Sequence, residues 1–175
     1  LVSAFLVMFM QPGFAMVGAG FTRAKNAGNF MMKNMMDFVI GSLTFFLVGY
    51  AIMMGGDWHG LMGTEGWLLL GDYYDVDVYL NMFWMLVFAA TAATIVAGAV
   101  AERLKFKAYL MYSVMVTAII YPIYGHWVWG GGWLSDLPYG MGALDFAGSG
   151  AVHAVGGFVG LAGAIVLGPR FGRYV

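Results

Sequence analysis

An imidazole set in an uncharged run is the first residue in this sequence that could do chemistry. His153 lies between Phe146 and Pro169, 24 residues without Asp, Glu, Lys or Arg. At about 1.5 Å of rise per residue such a run crosses the ~30 Å hydrocarbon core of a bilayer. An ionisable ring at that depth is costly in lipid. It either spends itself on one structural hydrogen bond or turns toward a bundle interior or solvent path. Gly157, Gly160 and Ala164 follow at i+4, i+7 and i+11, which on a helix makes a strip without side chains on the same face. A ring with space in front of it offers a nitrogen acceptor, and a proton relay, to a small polar solute.

Asp145 stands just before this run, with Gly148 and Ser149 three and four residues on. A carboxylate there either caps the exposed amides of a helix start or binds a cation directly. If the chain between them is helical, Asp145 and His153 lie about 12 Å apart along the axis, too far for a hydrogen-bonded acid–base pair. Trp84 and Phe88 are four apart and stack on one helix face, and Trp129 sits in GHWVWGGGW. Three aromatics at one membrane level form a cup for a small cation, worth about 0.5–2 kcal/mol per face when desolvated, or else belong to an interfacial aromatic belt. His59 and His126 are too distant in sequence from each other and from His153 to suggest a ligand set, and His126 reads as structural. With no cysteine, P-loop, zinc signature or nucleophile elbow, neither an enzyme, a metal nor a cofactor is expected.

The elements that must position these residues are membrane helices. The 175 residues are 62% hydrophobic and 10% charged, against roughly 25% charged in an average soluble domain, and the mean hydropathy is +0.81. A polytopic all-α transmembrane bundle is the fold class, with spans predicted at 1–22, 34–54, 78–101, 108–129 and 146–168. Alternating barrel strands of about 10 residues do not fit. Pro12 and Gly13 predict a bend in the first span. All eight basic residues fall in three places: Arg23, Lys25 and Lys33; Arg103, Lys105 and Lys107; Arg170 and Arg173. The intervening connections, Gly55 to Asp77 and Gly130 to Asp145, carry acidic residues and none that is basic. By the positive-inside rule the chain starts outside and its fifth span ends in the cytoplasm. Asp37, four residues after Lys33, predicts an i,i+4 pair. Asn26, Asn29 and Asn34 predict helix-end partners, and Glu102 with Arg103 marks an inner boundary. Gly156, Gly160, Ala164 and Gly168 form a small-xxx-small series for close helix approach. The chain opens inside an apolar run without Met and stops soon after a span, which reads as a piece of a longer protein.

Taken in order, GFTRAKNAGNFMMKNMMDF, VFAATAATIVAGAVAERLKF, YPIYGHWVWGGGW and LDFAGSGAVHAVGG resemble the ammonium transporter family, which includes Amt, Mep and Rh proteins. The likeness runs over nearly the whole chain and corresponds to the first of the family's two inverted halves. It implies a homotrimer in the cell membrane, each subunit with its own pore. It makes Trp84 and Trp129 part of an outer ammonium recruitment site, Phe88 an aromatic gate, Asp145 the carboxylate that organises the site, and His153 the first of two pore histidines. Trp84 stands where many members carry phenylalanine, and the aromatic face is kept. The implied function is ammonium recruitment outside and ammonia conduction along the histidine lane. The implied partners are ammonium, ammonia and lipid, with no nucleic acid. The rival is an ammonium sensor coupled to a cytoplasmic signalling module.

Overall fold

The computed structural model describes residues 1–172. Arg173, counted above among the basic residues of the inner side, lies outside them. Five helices are long and apolar enough to cross a membrane: α1 (Val2–Phe21), α2 (Ala24–Met54), α3 (Val76–Ala99), α4 (Phe106–Trp129) and α5 (Ser149–Leu167). The protein is a multi-pass membrane protein. α1 is broken at Phe9 (φ −65°, ψ −11°) into Val2–Met8 and Met10–Phe21. Pro12 has no N–H to return to the Met8 carbonyl, which weakens the ladder at that turn.

Two helix starts differ from the sequence expectation by three residues or more. α2 begins at Ala24 rather than at residue 34. Its first turns carry Lys25, Asn26, Asn29 and Lys33, which interrupt the apolar run. Arg23, Asn26 and Lys33 are nevertheless held against the loop that follows α3. Glu102, in a left-handed turn (φ 64°), accepts from Arg23 N (3.0 Å), Arg23 Nε (2.9 Å), Asn26 Nδ2 (2.7 Å) and an Arg170 guanidinium nitrogen (2.7 Å). Its side chain is 1% exposed. These bonds, Asn26 first, then Arg23 and Arg170, hold its carboxyl far below the usual range. Asn26 therefore serves the loop after α3 rather than its own helix end. α5 starts at Ser149, not 146, because the preceding residues wrap around Asp145. α3 and α4 begin two residues earlier than expected, α3 with Asp75 as cap (Asp77 N to Asp75 Oδ1, 2.7 Å).

The connection after α2 contains a short antiparallel ribbon, Asp57–Trp58 (β1) against Met62–Gly63 (β2), with Asp57 opposite Gly63. α3 is the central post: Val87, Ala89, Ala90, Ala92 and Ala93 are fully buried. α5 lies against it through Gly156, where a Cβ would sit 2.8 Å from Ile95 Cβ, and Gly160, where it would sit 3.1 Å from Ala99 Cβ. Small residues set this separation, because backbones approach only where no side chain intervenes.

The bland pairing expected for Asp37 is not found. Lys33 Nζ donates to Leu104 O (2.6 Å) and sits 5.6 Å from the Tyr109 ring centroid. Asp37, 0% exposed, accepts from Thr94 Oγ1 (2.8 Å) on α3 and from Ser113 Oγ on α4. Gln11 joins from α1: its Oε1 shares the single Thr94 hydroxyl proton with Asp37 (2.8 Å) and its Nε2 donates to Thr91 Oγ1 (3.2 Å). Polar groups buried in a bundle are tolerable only when bonded to one another, so four helices are registered at this level.

Candidate functional site

The start of α5 is built around one carboxylate. Asp145 Oδ1 accepts from Gly148 N (2.8 Å) and Ser149 N (2.9 Å), and Oδ2 from Gly150 N (2.9 Å) and Ala151 N (2.7 Å). Helix starts leave such amides unpaired, and here one side chain takes four of them. Burial acts to raise its pKa, and the four backbone donors more than offset that, leaving it below the usual carboxylate value. Gly148 (φ 92°) makes the wrap possible. A Cβ there would be strained and would lie 2.4 Å from Val152 Cγ2. Between the capping and cation-binding alternatives, the carboxylate oxygens are occupied by the cap.

The same segment joins an aromatic. Trp129 Nε1 donates to Asp145 O (2.7 Å), so the last residue of α4 is fastened to the residue that caps α5. Trp84 and Phe88 meet edge-to-face, centroids 4.8 Å apart at 86°. Phe88 is 8% exposed, while Trp84 and Trp129 are half-buried against the same hydrophobic cluster, which also holds Val152. The structure thus pairs Trp84 with Phe88 and Trp129 with Asp145. No ring-to-ring contact joins the two pairs among the described residues.

From the cap the chain enters a π-helical turn, Ser149–Ala154, in which Val152 N and His153 N both donate to Gly148 O (2.9 Å each). One widened turn shifts the residues that follow around the helix axis, and such turns are concentrated at functional sites. His153 sits in it and is exposed, with Gly157 opening onto free space: a Cβ there would meet nothing within 4 Å. The strip expected on one face is therefore shorter than ideal periodicity predicts. Gly157 stays with His153, whereas Gly160 rotates onto α3. His153 is neither buried in tight contact nor hydrogen-bonded to another side chain among the described residues.

Two buried groups escape a search for reactive spacing. His126, fully buried, places Nδ1 2.9 Å from Met53 O and Nε2 2.9 Å from Asp57 Oδ1. The Asp37 cluster is the other. Its signal in the sequence is the presence of Gln11, Asp37, Thr91, Thr94 and Ser113 inside otherwise apolar spans. No group of three or more His, Cys, Asp or Glu suited to a metal ion occurs among the described residues.

Both the sequence and the fold have known relatives. The family model described as Ammonium Transporter Family matches residues 1–175. Ammonium transporter Amt2 of Archaeoglobus fulgidus is 63% identical over 99% of the chain, and Ammonium transporter 1 member 3 of Solanum lycopersicum is 46% identical over 99%. The chain spans 38% and 39% of the length of these two relatives. A solved structure described as a Sensor Amt Protein superposes with a TM-score of 0.92 at 39% identity, covering 99% of this chain and 44% of that one.

Proposed function

The chain belongs to the ammonium transporter family, and from that premise we propose that the protein it comes from moves ammonium nitrogen across the membrane. Ammonium is recruited at an outer site framed by Trp84, Phe88, Trp129 and Asp145, and ammonia passes inward along the face carrying His153. A bare cation at an aromatic site is attracted by the ring faces whatever its identity, so potassium would be drawn as well. Discrimination comes from steps potassium does not perform, donating hydrogen bonds and giving up a proton. Beyond the aromatic gate a charge is heavily penalised and neutral ammonia is not. Asp145 contributes through its cap, which fixes Trp129, and through residual negative charge near the recruited cation.

One observation carries this reading: His153 is exposed beside the open side of Gly157, directly after the turn that Asp145 and Trp129 lock together. A homotrimer of subunits with separate pores, a membrane orientation with the Arg23, Lys105 and Arg170 side inside, and completion of the pore by a second inverted half belong to the same proposal. The likeness to a protein described as a sensor supports a second reading, in which ammonium binds and is reported inward with little flux. Uptake of labelled methylammonium by proteoliposomes of the complete protein separates them. Saturable flux supports transport; binding without flux supports sensing and defeats the transport reading.

A further inference from the structure

The basic end of the bundle holds a cavity for which ammonium recruitment and conduction have no use. It measures about 400 Å³ and lies between the first turns of α2, the end of α3 and the loop that follows. Lys25, Asn29, Lys33, Glu102 and Tyr109 are among the residues around it. Lys25, Asn29 and Lys33 are spaced at i, i+4 and i+8, so three donors stand one above another on a single face of α2. The first two are exposed, and the third is at depth, with Lys33 only 7% exposed.

Lys33 is the observation that points to an occupant. An ammonium carries three N–H donors and no acceptor. One of them goes to Leu104 O (2.6 Å), and the Tyr109 ring lies with its centroid 5.6 Å away. No carboxylate pairs with Lys33 among the described residues. A charge withdrawn from water without a counter-ion is costly, so the space beside it favours an anion. The carboxylates nearby are engaged elsewhere. Glu102 also borders the cavity, but its oxygens accept from Arg23, Asn26 and Arg170, and two guanidinium charges outweigh its own. Asp37, one turn beyond Lys33, is bonded to Thr94 and Ser113.

The shape narrows the chemistry. The volume exceeds what a halide ion fills and lies in the range of small-molecule sites. A ladder of point donors suits a group with several acceptor oxygens, and lysine binds phosphate in this way. We propose that the cavity is a binding site for a phosphate-bearing anion, held at depth by Lys33 and at the mouth by Lys25 and Asn29. Such a group arrives either on a small soluble molecule or as the headgroup of an anionic lipid, and the recognition is the same.

The test follows thermal melting of the complete protein in a phosphate-free maltoside detergent, so it stands apart from any measurement of uptake. Glycerol 3-phosphate and dihexanoyl phosphatidylglycerol are titrated separately, with chloride at equal ionic strength as the comparison. A ligand that binds the folded state raises the melting temperature with its concentration. At least one of the two probes gives a saturable rise that chloride does not. Lys33→Gln keeps a donor for Leu104 O and removes the charge, and the half-saturating concentration increases about tenfold, the order of one charge-assisted hydrogen bond. Lys25→Gln, in the exposed first turn, increases it about threefold; this variant decides the matter if Lys33→Gln fails to fold. Lys107→Gln, exposed on α4 and outside the cavity, leaves it unchanged. Saturation by glycerol 3-phosphate assigns the site to a soluble ligand, and saturation by the lipid alone assigns it to the membrane. No saturable shift with either probe, or a shift that Lys25→Gln and any folded Lys33→Gln leave intact, overturns the proposal.

Discussion

α3 and α5 are equally apolar, and they behave as opposites. Eleven residues of α3, Leu86 through Thr94 with Val96 and Ala97, are buried. In α5 only Ala151, Val152, Val155, Gly156 and Gly160 are, while His153, Gly157, Phe158, Leu161 and Ile165 are exposed. Hydropathy fixes that a helix enters the membrane and says nothing about which face meets protein. That is decided by where side chains are missing. The contrast is sharpest at two adjacent glycines, one closed against α3 and the other open beside His153.

Those glycines give the first way to break the comparison. Gly156→Val would drive a side chain into Ile95 Cβ and the Ala92 carbonyl, 2.8 and 2.9 Å from the added Cβ. A backbone carbonyl has little room to yield, so we expect a loss of about 3 kcal/mol or more and failure to recover folded protein. Size-exclusion chromatography of the detergent-solubilised protein reads this directly, and a normal elution profile with wild-type thermal stability would refute the packing account. Gly157→Leu, by contrast, leaves stability within about 0.5 kcal/mol, as for other uncrowded sites, but obstructs the open face. Flux should fall while the melting temperature holds.

Next in size comes the buried carboxyl. Asp37→Leu leaves the Thr94 and Ser113 hydroxyls facing an apolar side chain, a cost of about 1–3 kcal/mol. Asp37→Asn keeps a polar partner for both and should cost much less. Equal thermal stabilities for the two variants would show that the cluster does not register the helices. Asp145→Ala removes the acceptor for four amides and should cost about 1–2 kcal/mol. It should also release Trp129, weakening methylammonium binding. Because the folded-state pKa of Asp145 is lowered, its contribution to stability is present above the ordinary carboxylate value, about 3.9. It is lost as pH falls through the lower folded value. Acid unfolding of Asp145→Ala should accordingly lack that component.

The spans and Asp145 as the cap before α5 were legible because they depend on local order: uncharged runs, and a carboxylate three residues before a glycine. What was hidden depends on rotation and on distance. The π turn carrying His153 changes which glycines share its face, so Gly160, aligned with His153 by ideal periodicity, instead packs on α3. Asp37 finds Thr94 and Ser113, 57 and 76 residues away, whereas sequence neighbourhood points to Lys33. The start of α2 was hidden because polar residues that face Glu102 look, in sequence, like a loop. His126 reads as structural from its sequence. That both its nitrogens face acceptors emerges only from the fold.

The claim at the centre is that the exposed face of α5 is a passage and that His153 belongs to it. Methylammonium uptake and its ratio to potassium uptake, measured in liposomes of the complete protein with His153→Ala, test this most directly. The account predicts that the variant folds as the wild type does and loses either flux or the discrimination against potassium. Wild-type flux with wild-type selectivity in the alanine variant would contradict it.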